Sequence, residues 1–349
     1  MDGGPIKEKN GTFTSPSDAP TEPASAGEGN RWPDMWARRD MRVGTVRMSC
    51  PRPDGVATAL DFFVRRFPRQ GPEVWRRRFE RGMVFTQQGP LAADAPYVPG
   101  LEVRYGRELD EEWPVRRDYR IVHHDRDFLV VDKPPFLPVT PAGHYLENCL
   151  LCLLLTDTGL MEISPLHRLD KDTSGLVVLS TRQATRAVVQ ALFRPPRRHV
   201  GETYLALCEA ADGAPTLPAR TTLSDHVARD PEAYYRQRVF ADRPPNSVCE
   251  VERLEQIGAE RALVRVRPAT GRKHQIRVQL SHAGWPIAHD RIYGLAPRHE
   301  PHDIATPMLL TCVEIRIDRF AASDGSAVVE GEWRSRFGPC RSGALAEGA

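Results

Sequence analysis

The sequence predicts an α+β protein: a small α/β module followed by a larger domain built on a mixed, mainly antiparallel sheet. Three observations carry that expectation. Short runs of alternating or continuous apolar residues recur from about residue 119 to the end, with only a few helical patterns between them. Two aromatic-rich helical patterns stand close together at 56–82. An acidic stretch, "RELDEEWP" at 107–114, separates the two regions as a linker.

The 349 residues suffice for two cores. Residues 1–45 are assigned to a disordered or linker N-terminus, because the first 30 are Gly-, Pro- and Ser-rich with almost nothing to bury. No 18-residue apolar run and no N-terminal apolar segment exist, so a membrane or secreted protein is not expected and the cytoplasm is. The seven cysteines, an odd number without disulfide-framework spacing, agree with a reducing compartment. Cys149 and Cys152 form a C-x-x-C, but it lies in an apolar helical run and lacks a second pair at zinc spacing.

The module at 46–109 opens with "GVATALDFFVRRF", which places Ala59, Phe62, Phe63 and Phe67 at near-helical spacing. "PEVWRRRFERG" repeats the pattern through Val74, Trp75 and Phe79 and stops at Gly82. "MVFTQQG" and "LEVRY" read as short strands. Between 61 and 82 seven arginines face three acids, a charge of +4. Arg76 and Arg77 are either part of a solvated helix face or contacts for a polyanion backbone.

The larger domain spans 115–340. "YRIVHHDRDFLVVDKPP" gives strands at 119–123 and 127–132, the second halted by prolines just after Lys133. A helix is expected at 145–155 and another at 182–194. Strands are expected at 176–180, in "ETYLALCEA", "NSVCEVERLEQI" and "RALVRVRPA", and a last one in "PMLLTCVEIRI". The period of "HQIRVQLSHAG" is not settled by its apolar positions.

Three clusters bear chemistry. The first is "HRLDKDTSG", 167–175, where Asp170 stands beside Arg168 and is followed by Thr173. A carboxylate near a fixed guanidinium stays ionised when partly desolvated. It can then serve as nucleophile, base or stabiliser of an oxocarbenium-like sugar, although a charged turn has the same composition. The second is Tyr204, a strand tyrosine suited to core packing or to stacking on a base. The third, 270–294, concentrates Arg272, Lys273, His274, Gln275, Arg277, His282, His289 and Arg291. No histidine pair there has metal spacing with an acid, so no metal site is expected. A glycosidase would need Asp170 and Asp172 to flank one bond, and two residues apart they make a poor pair.

In order and spacing, "LVVDKPPFLPV", "HRLDKDTSGLVVLS", "TYLAL" and "TGRKHQIRVQLSHAGWPIAHDRIYG" resemble the RluA family of RNA pseudouridine synthases, over roughly 115–320. The 46–109 module is similar, more loosely, to an S4-type RNA-binding domain. The resemblance implies a pseudouridine-synthase catalytic fold acting on structured RNA, ribosomal or transfer, without cofactor. It implies Asp170 as the catalytic carboxylate, Tyr204 under the base and Arg277 paired with Asp170. Arg168 would hold a flipped-out nucleotide. Thr173, His274, Gln275, Lys133, Arg76 and Arg77 complete the expected RNA and substrate contacts, and Lys171 and Asp172 are left to solvent. A monomer is expected, since no long apolar stripe is left over. The rival reading is an RNA-binding or ribosome-assembly factor that keeps the scaffold without turnover.

Three positions depart from the family pattern: Glu202 where Lys is usual, Lys273 where a small or polar residue is common, and His289 where Gly precedes Asp290. Lys273 is the expected compensating charge for Glu202.

Overall fold

The computed structural model describes residues 43–49, 52–68, 70–107, 109, 111–193, 199–297, 303–321, 328–335, 337–339 and 345–347. The disorder expected for residues 1–42 therefore lies outside the described residues. Residues 43–45, read as the end of the linker, instead belong to the first strand, β1 (Val43–Arg47).

The N-terminal module packs helices α1 (Ala59–Arg66) and α2 (Pro72–Glu80) against an antiparallel sheet. Its strands are β1, β2 (Val84–Thr86), β3 (Gly89–Pro90) and β4 (Glu102–Gly106), in the order β1-β4-β2-β3. Thr58 starts α1 with a reciprocal capping box: its hydroxyl accepts from the Asp61 amide and the Asp61 carboxylate accepts from the Thr58 amide. Phe63 is the hub of the core, with ring centres 4.6 Å from Trp75 and 5.5 Å from Phe79. The first contact is tilted and the second edge-to-face, and such ring pairs add to the burial of large rings.

The second core surrounds a ten-stranded sheet. Its strands are β5 (Arg120–His124), β6 (Phe128–Lys133), β7 (Ser164–Pro165), β8 (Ser174–Ser180), β9 (Val200–Glu209), β10 (Arg220–Asp225), β13 (Ser247–Ile257), β14 (Arg261–Pro268), β15 (Leu310–Ala321) and β16 (Val328–Arg334). The order is β10-β13-β14-β9-β15-β8-β6-β5, with β16 on β15 and β7 on β8. Two hairpin strands, β11 (Val227–Arg229) and β12 (Gln237–Val239), form a separate ribbon, as do β17 (Phe337–Pro339) and β18 (Leu345–Glu347). "PMLLTCVEIRI" is thus not the last strand, since β16 to β18 follow it. Strands β6 and β8 are buried along their whole length, which explains why they read as continuous apolar runs rather than alternating ones.

One parallel pairing joins β8 to β15, through Thr311 with Ser174 and Cys312 with Gly175. Gly175 has φ +105°, and a Cβ there would stand 2.2 Å from the Cys312 carbonyl oxygen. The close approach leaves room for glycine alone. Ser174 locks the same crossing by a 2.7 Å bond to the Thr311 hydroxyl.

Helix α3 (Leu150–Thr158) begins five residues later than the expected 145–155. The amides of Leu146, Glu147 and Asn148 all donate to the Glu112 carboxylate at 2.8–2.9 Å, so those residues hold an open loop. The end of the acidic stretch is therefore docked through Glu112 and Trp113, whose ring stacks on His144 at 4.1 Å. Helix α4 is Gln183–Leu192. The unsettled "HQIRVQLSHAG" is helical, as α5 (Gln275–His282).

Candidate active site

Asp170 lies in the loop between β7 and β8, its side chain about a quarter exposed. The loop is held from within: the Thr173 amide donates to the Asp170 carbonyl, and Leu169 is buried. Arg277, on α5, is 2% exposed and reaches Asp170 Oδ2 with Nη1 at 2.9 Å. Its other edge makes a two-bond fork with Asp290, Nε to Oδ2 at 2.7 Å and Nη2 to Oδ1 at 2.8 Å. Asp290 also accepts from the amides of Ile292 and Tyr293. Arg277 is thus a rigid bridge between a buried carboxylate and a partly open one.

The electrostatics follow from that bridge. Burial opposes ionisation of Asp170, but the fields of His274 and Arg277 and the Arg277 hydrogen bond outweigh it. The carboxyl stays below the ordinary carboxylate range. Asp290 is lowered in the same way, burial being overcome by Arg277 and the two amides. His274 is pushed down to about 4 by burial, with Asp170 opposing and Arg277 and Lys273 reinforcing the shift. At neutral pH His274 is uncharged, and Arg277 is the standing counter-charge of Asp170.

His274 precedes α5 with φ +55° and places Nε2 3.8 Å from Asp170 Oδ2. Its Nδ1 lies 2.9 Å from the Tyr293 hydroxyl. Tyr204 is buried on β9 and pairs in register with Cys312 of β15, the strand whose Cys312 also pairs with Gly175 at the start of β8. Arg168 is exposed beside the loop.

Three of the expected RNA contacts sit inside the protein. Lys133 is fully buried, its ammonium bonded to the carbonyls of Pro134 and Lys171 at 2.9 and 3.2 Å. Gln275 is 4% exposed and braces the turn before α5. Its Oε1 accepts from Thr270 and the Arg272 amide, and its Nε2 donates to the Val248 carbonyl. Thr173 is 3% exposed. These side chains shape the site rather than face solvent. Lys171 and Asp172, assigned to solvent, are also engaged: Lys171 Nζ bonds the Tyr145 hydroxyl at 3.3 Å, and Asp172 is 14% exposed.

Lys273 does not compensate Glu202. Its ammonium reaches the Tyr235 carbonyl at 3.5 Å, whereas Glu202 Oε1 lies 3.2 Å from His167 Nδ1. His289 has φ +63°, which explains why glycine suits that position. Asp290 and Tyr293 were not singled out as site residues. Their only sequence signal is the run "HDRIYG", whose spacing puts one carboxylate beside two downstream amides.

In the N-terminal module, Arg76 and Arg77 are exposed. Arg76 is paired with Glu73. Arg78 is buried against the Trp75 ring and bonded to Gln70, so it belongs to the core. Arg65 is bonded to the Asp54 carbonyl, and Arg69 lies outside the described residues. Among the described residues, no group of three His, Cys, Asp or Glu side chains could hold a metal ion, and no helix is long and apolar enough to cross a membrane.

Residues 127–282 match the family model for RNA pseudouridylate synthases. An uncharacterized RNA pseudouridine synthase of Synechocystis sp. is 27% identical over 67% of this chain and 79% of its own length. A ribosomal large subunit pseudouridine synthase D of Pseudomonas aeruginosa is 33% identical over 54% of this chain and 58% of its own. The solved human RNA pseudouridylate synthase domain containing 1 superposes with a TM-score of 0.50 at 24% identity, over 66% of this chain and 89% of that one. That likeness shows the fold, and the family model spans the Asp170 loop and α5. Over residues 127–282, which hold the Asp170 loop and α5, the chain matches the RNA pseudouridine synthases.

Proposed function

We propose that this protein converts uridine to pseudouridine in structured RNA, ribosomal or transfer, with Asp170 as the catalytic carboxylate. The observation that carries the reading is the 2.9 Å bond from buried Arg277 to Asp170 Oδ2. It keeps an ionised carboxylate on a side chain that is still about a quarter exposed. As the N1–C1′ bond breaks, its electron pair leaves with the uracil as an anion, and C1′ becomes an oxocarbenium-like centre faced by the Asp170 carboxylate. The base turns and bonds through C5, and the C5 proton is then lost while N1 regains one. The product is an isomer of the substrate, so no co-reactant is consumed.

Arg277 acts as counter-charge, Tyr204 as the ring beneath the base, and exposed Arg168 as the contact to the extruded nucleotide. Thr173, Gln275 and Lys133 brace the loop and helix that carry these groups. The module at 46–109 serves as an S4-like RNA platform through Arg77 and Arg76. The five described cysteines are free thiols, in keeping with work in the reducing cytoplasm; a monomer is the proposed state.

The test is pseudouridine mapping of total RNA from cells with and without the gene product, complemented by Asp170→Asn. The expected result is a set of sites that vanish without the protein and are not restored by the variant, which still binds RNA. Turnover by Asp170→Asn would overturn the assignment. Binding without any lost site would favour the assembly-factor reading.

A further inference from the structure

The Tyr293 hydroxyl joins two parts of the molecule. The Gln237 amide, at the start of β12, donates to it at 2.7 Å, and His274 Nδ1 lies 2.9 Å away on the other side. These are its two hydrogen-bond partners among the described residues. The amide can only donate, so the phenol oxygen is already an acceptor there. The phenol proton then has one acceptor within reach, the Nδ1 lone pair. Were Nδ1 protonated, two donors would meet the same oxygen and the phenol proton would have no acceptor.

We propose that Tyr293 locks His274 in the tautomer that carries its proton on Nε2, so that a neutral ring turns a polarised N–H toward the Asp170 carboxylate and helps position it. Nε2 stands 3.8 Å from Oδ2, the oxygen already held by Arg277. That separation is beyond a hydrogen bond, so in the ligand-free site the N–H acts on Oδ2 as an oriented dipole, and a small closure on substrate would bring it into hydrogen-bond reach. The strained backbone agrees with this role: His274 holds φ +55°, outside the region a branched or long side chain prefers. Holding that conformation aims the ring at Asp170. The lock also passes through the β11–β12 hairpin, because the Gln237 amide fixes which way the phenol proton points. The positioning role rests on the function proposed above; the tautomer does not.

Two glutamine-type substitutions separate this from a purely structural role. The amide nitrogen of Gln reaches the position of imidazole Nε2, whereas that of Asn stops near Nδ1. The left-handed backbone at 274 favours Asn over Gln. The proposal expects His274→Gln to keep most of the single-turnover rate on total RNA from cells lacking this protein. It expects His274→Asn and His274→Ala to lose about 10- to 100-fold, the range for one hydrogen bond to a charged group made in the closed, substrate-bound site, with RNA affinity within about twofold. The reverse ranking, Asn above Gln, overturns it. Nitrogen-15 spectra of the full-length protein should show His274 protonated on Nε2, and a mixed population in Tyr293→Phe. An Nδ1 proton in the native protein, or no change in Tyr293→Phe, also overturns it. If the native protein forms no pseudouridine, the functional reading fails while the spectra still decide the tautomer.

Discussion

His167 and Glu202 form a buried pair: Nδ1 lies 3.2 Å from Oε1, with the two side chains 5% and 3% exposed. The other ring nitrogen, Nε2, accepts the Val178 amide at 3.1 Å, so the proton sits on Nδ1 and points at Glu202. The ring stacks on Phe193 at 4.8 Å, nearly parallel. The first residue of the Asp170 loop motif is thereby pinned by the acid that replaces the family's usual lysine. Glu202→Ala should destabilise the protein by about 1–3 kcal/mol, the value of a stranded buried donor. Glu202→Lys should cost more, since it sets a cation against an N–H. Thermal melting of the three proteins checks this, and a Lys variant as stable as the native protein would show that the pair is not what holds the loop.

Lys133 supplies a prediction in pH. Burial lowers its ammonium from 10.5 to about 7, with Asp172 and Asp170 opposing the shift. Between those values the unfolded chain binds a proton that the folded chain lacks, so stability rises with pH across the window. The contribution is complete above 10.5 and is lost as pH falls through about 7. Relative to Lys133→Met, native stability should rise by roughly 2–3 kcal/mol between pH 7.5 and 9.5. Denaturant melts at the two pH values measure it; a difference that stays flat means the ammonium is not buried as described.

Arg277 and Asp290 should behave as one unit. Arg277→Met leaves the Asp290 carboxylate buried without its fork, a loss of about 3–5 kcal/mol. Asp290→Asn in the same chain removes the stranded charge, so the double variant should be more stable than the sum of the singles predicts. Additive losses in this cycle would deny the coupling.

What the sequence revealed and what it hid differ in range. Strands β6, β8, β9, β13 and β14 were legible because each carries its pattern within ten or so residues. The Gly175 crossing was partly legible: "TSG" announces a turn, but only the parallel neighbour β15 requires the glycine. The onset of α3 was hidden because the carboxylate that holds its preceding amides, Glu112, comes from 34 residues upstream. Asp170 and Arg277 meet across 107 residues. Their pairing was expected from the family resemblance, while Asp290, which fixes the guanidinium, has no local signal of its own. Burial of Lys133, Thr173 and Gln275 was equally invisible, since polarity alone suggested contact with RNA.

His289 gives a stability test of backbone strain. A non-glycine residue at φ +63° is disfavoured by roughly 1–2 kcal/mol. Its ring offers an exposed bond to the Pro307 carbonyl in return, at 3.0 Å. His289→Gly should therefore be more stable by about 0.5–1 kcal/mol, and His289→Val less stable than either. A destabilised Gly variant would mean that the Pro307 bond outweighs the strain.

The arginines of α2 divide by what each already touches. Arg77 is exposed, Arg76 is exposed but engaged by Glu73, and Arg78 is buried against Trp75. If the module grips an RNA backbone, Arg77→Gln should weaken binding and reduce the slope of log affinity against log salt by about 1. Arg76→Gln should reduce it by less, because its charge is already partly neutralised. Arg78→Gln should lower the melting temperature and leave the slope nearly unchanged, since that guanidinium is spent on the core. Filter binding between 50 and 200 mM salt, run beside melting curves, distinguishes the three. Equal slopes in all three variants would remove the proposed platform from α2.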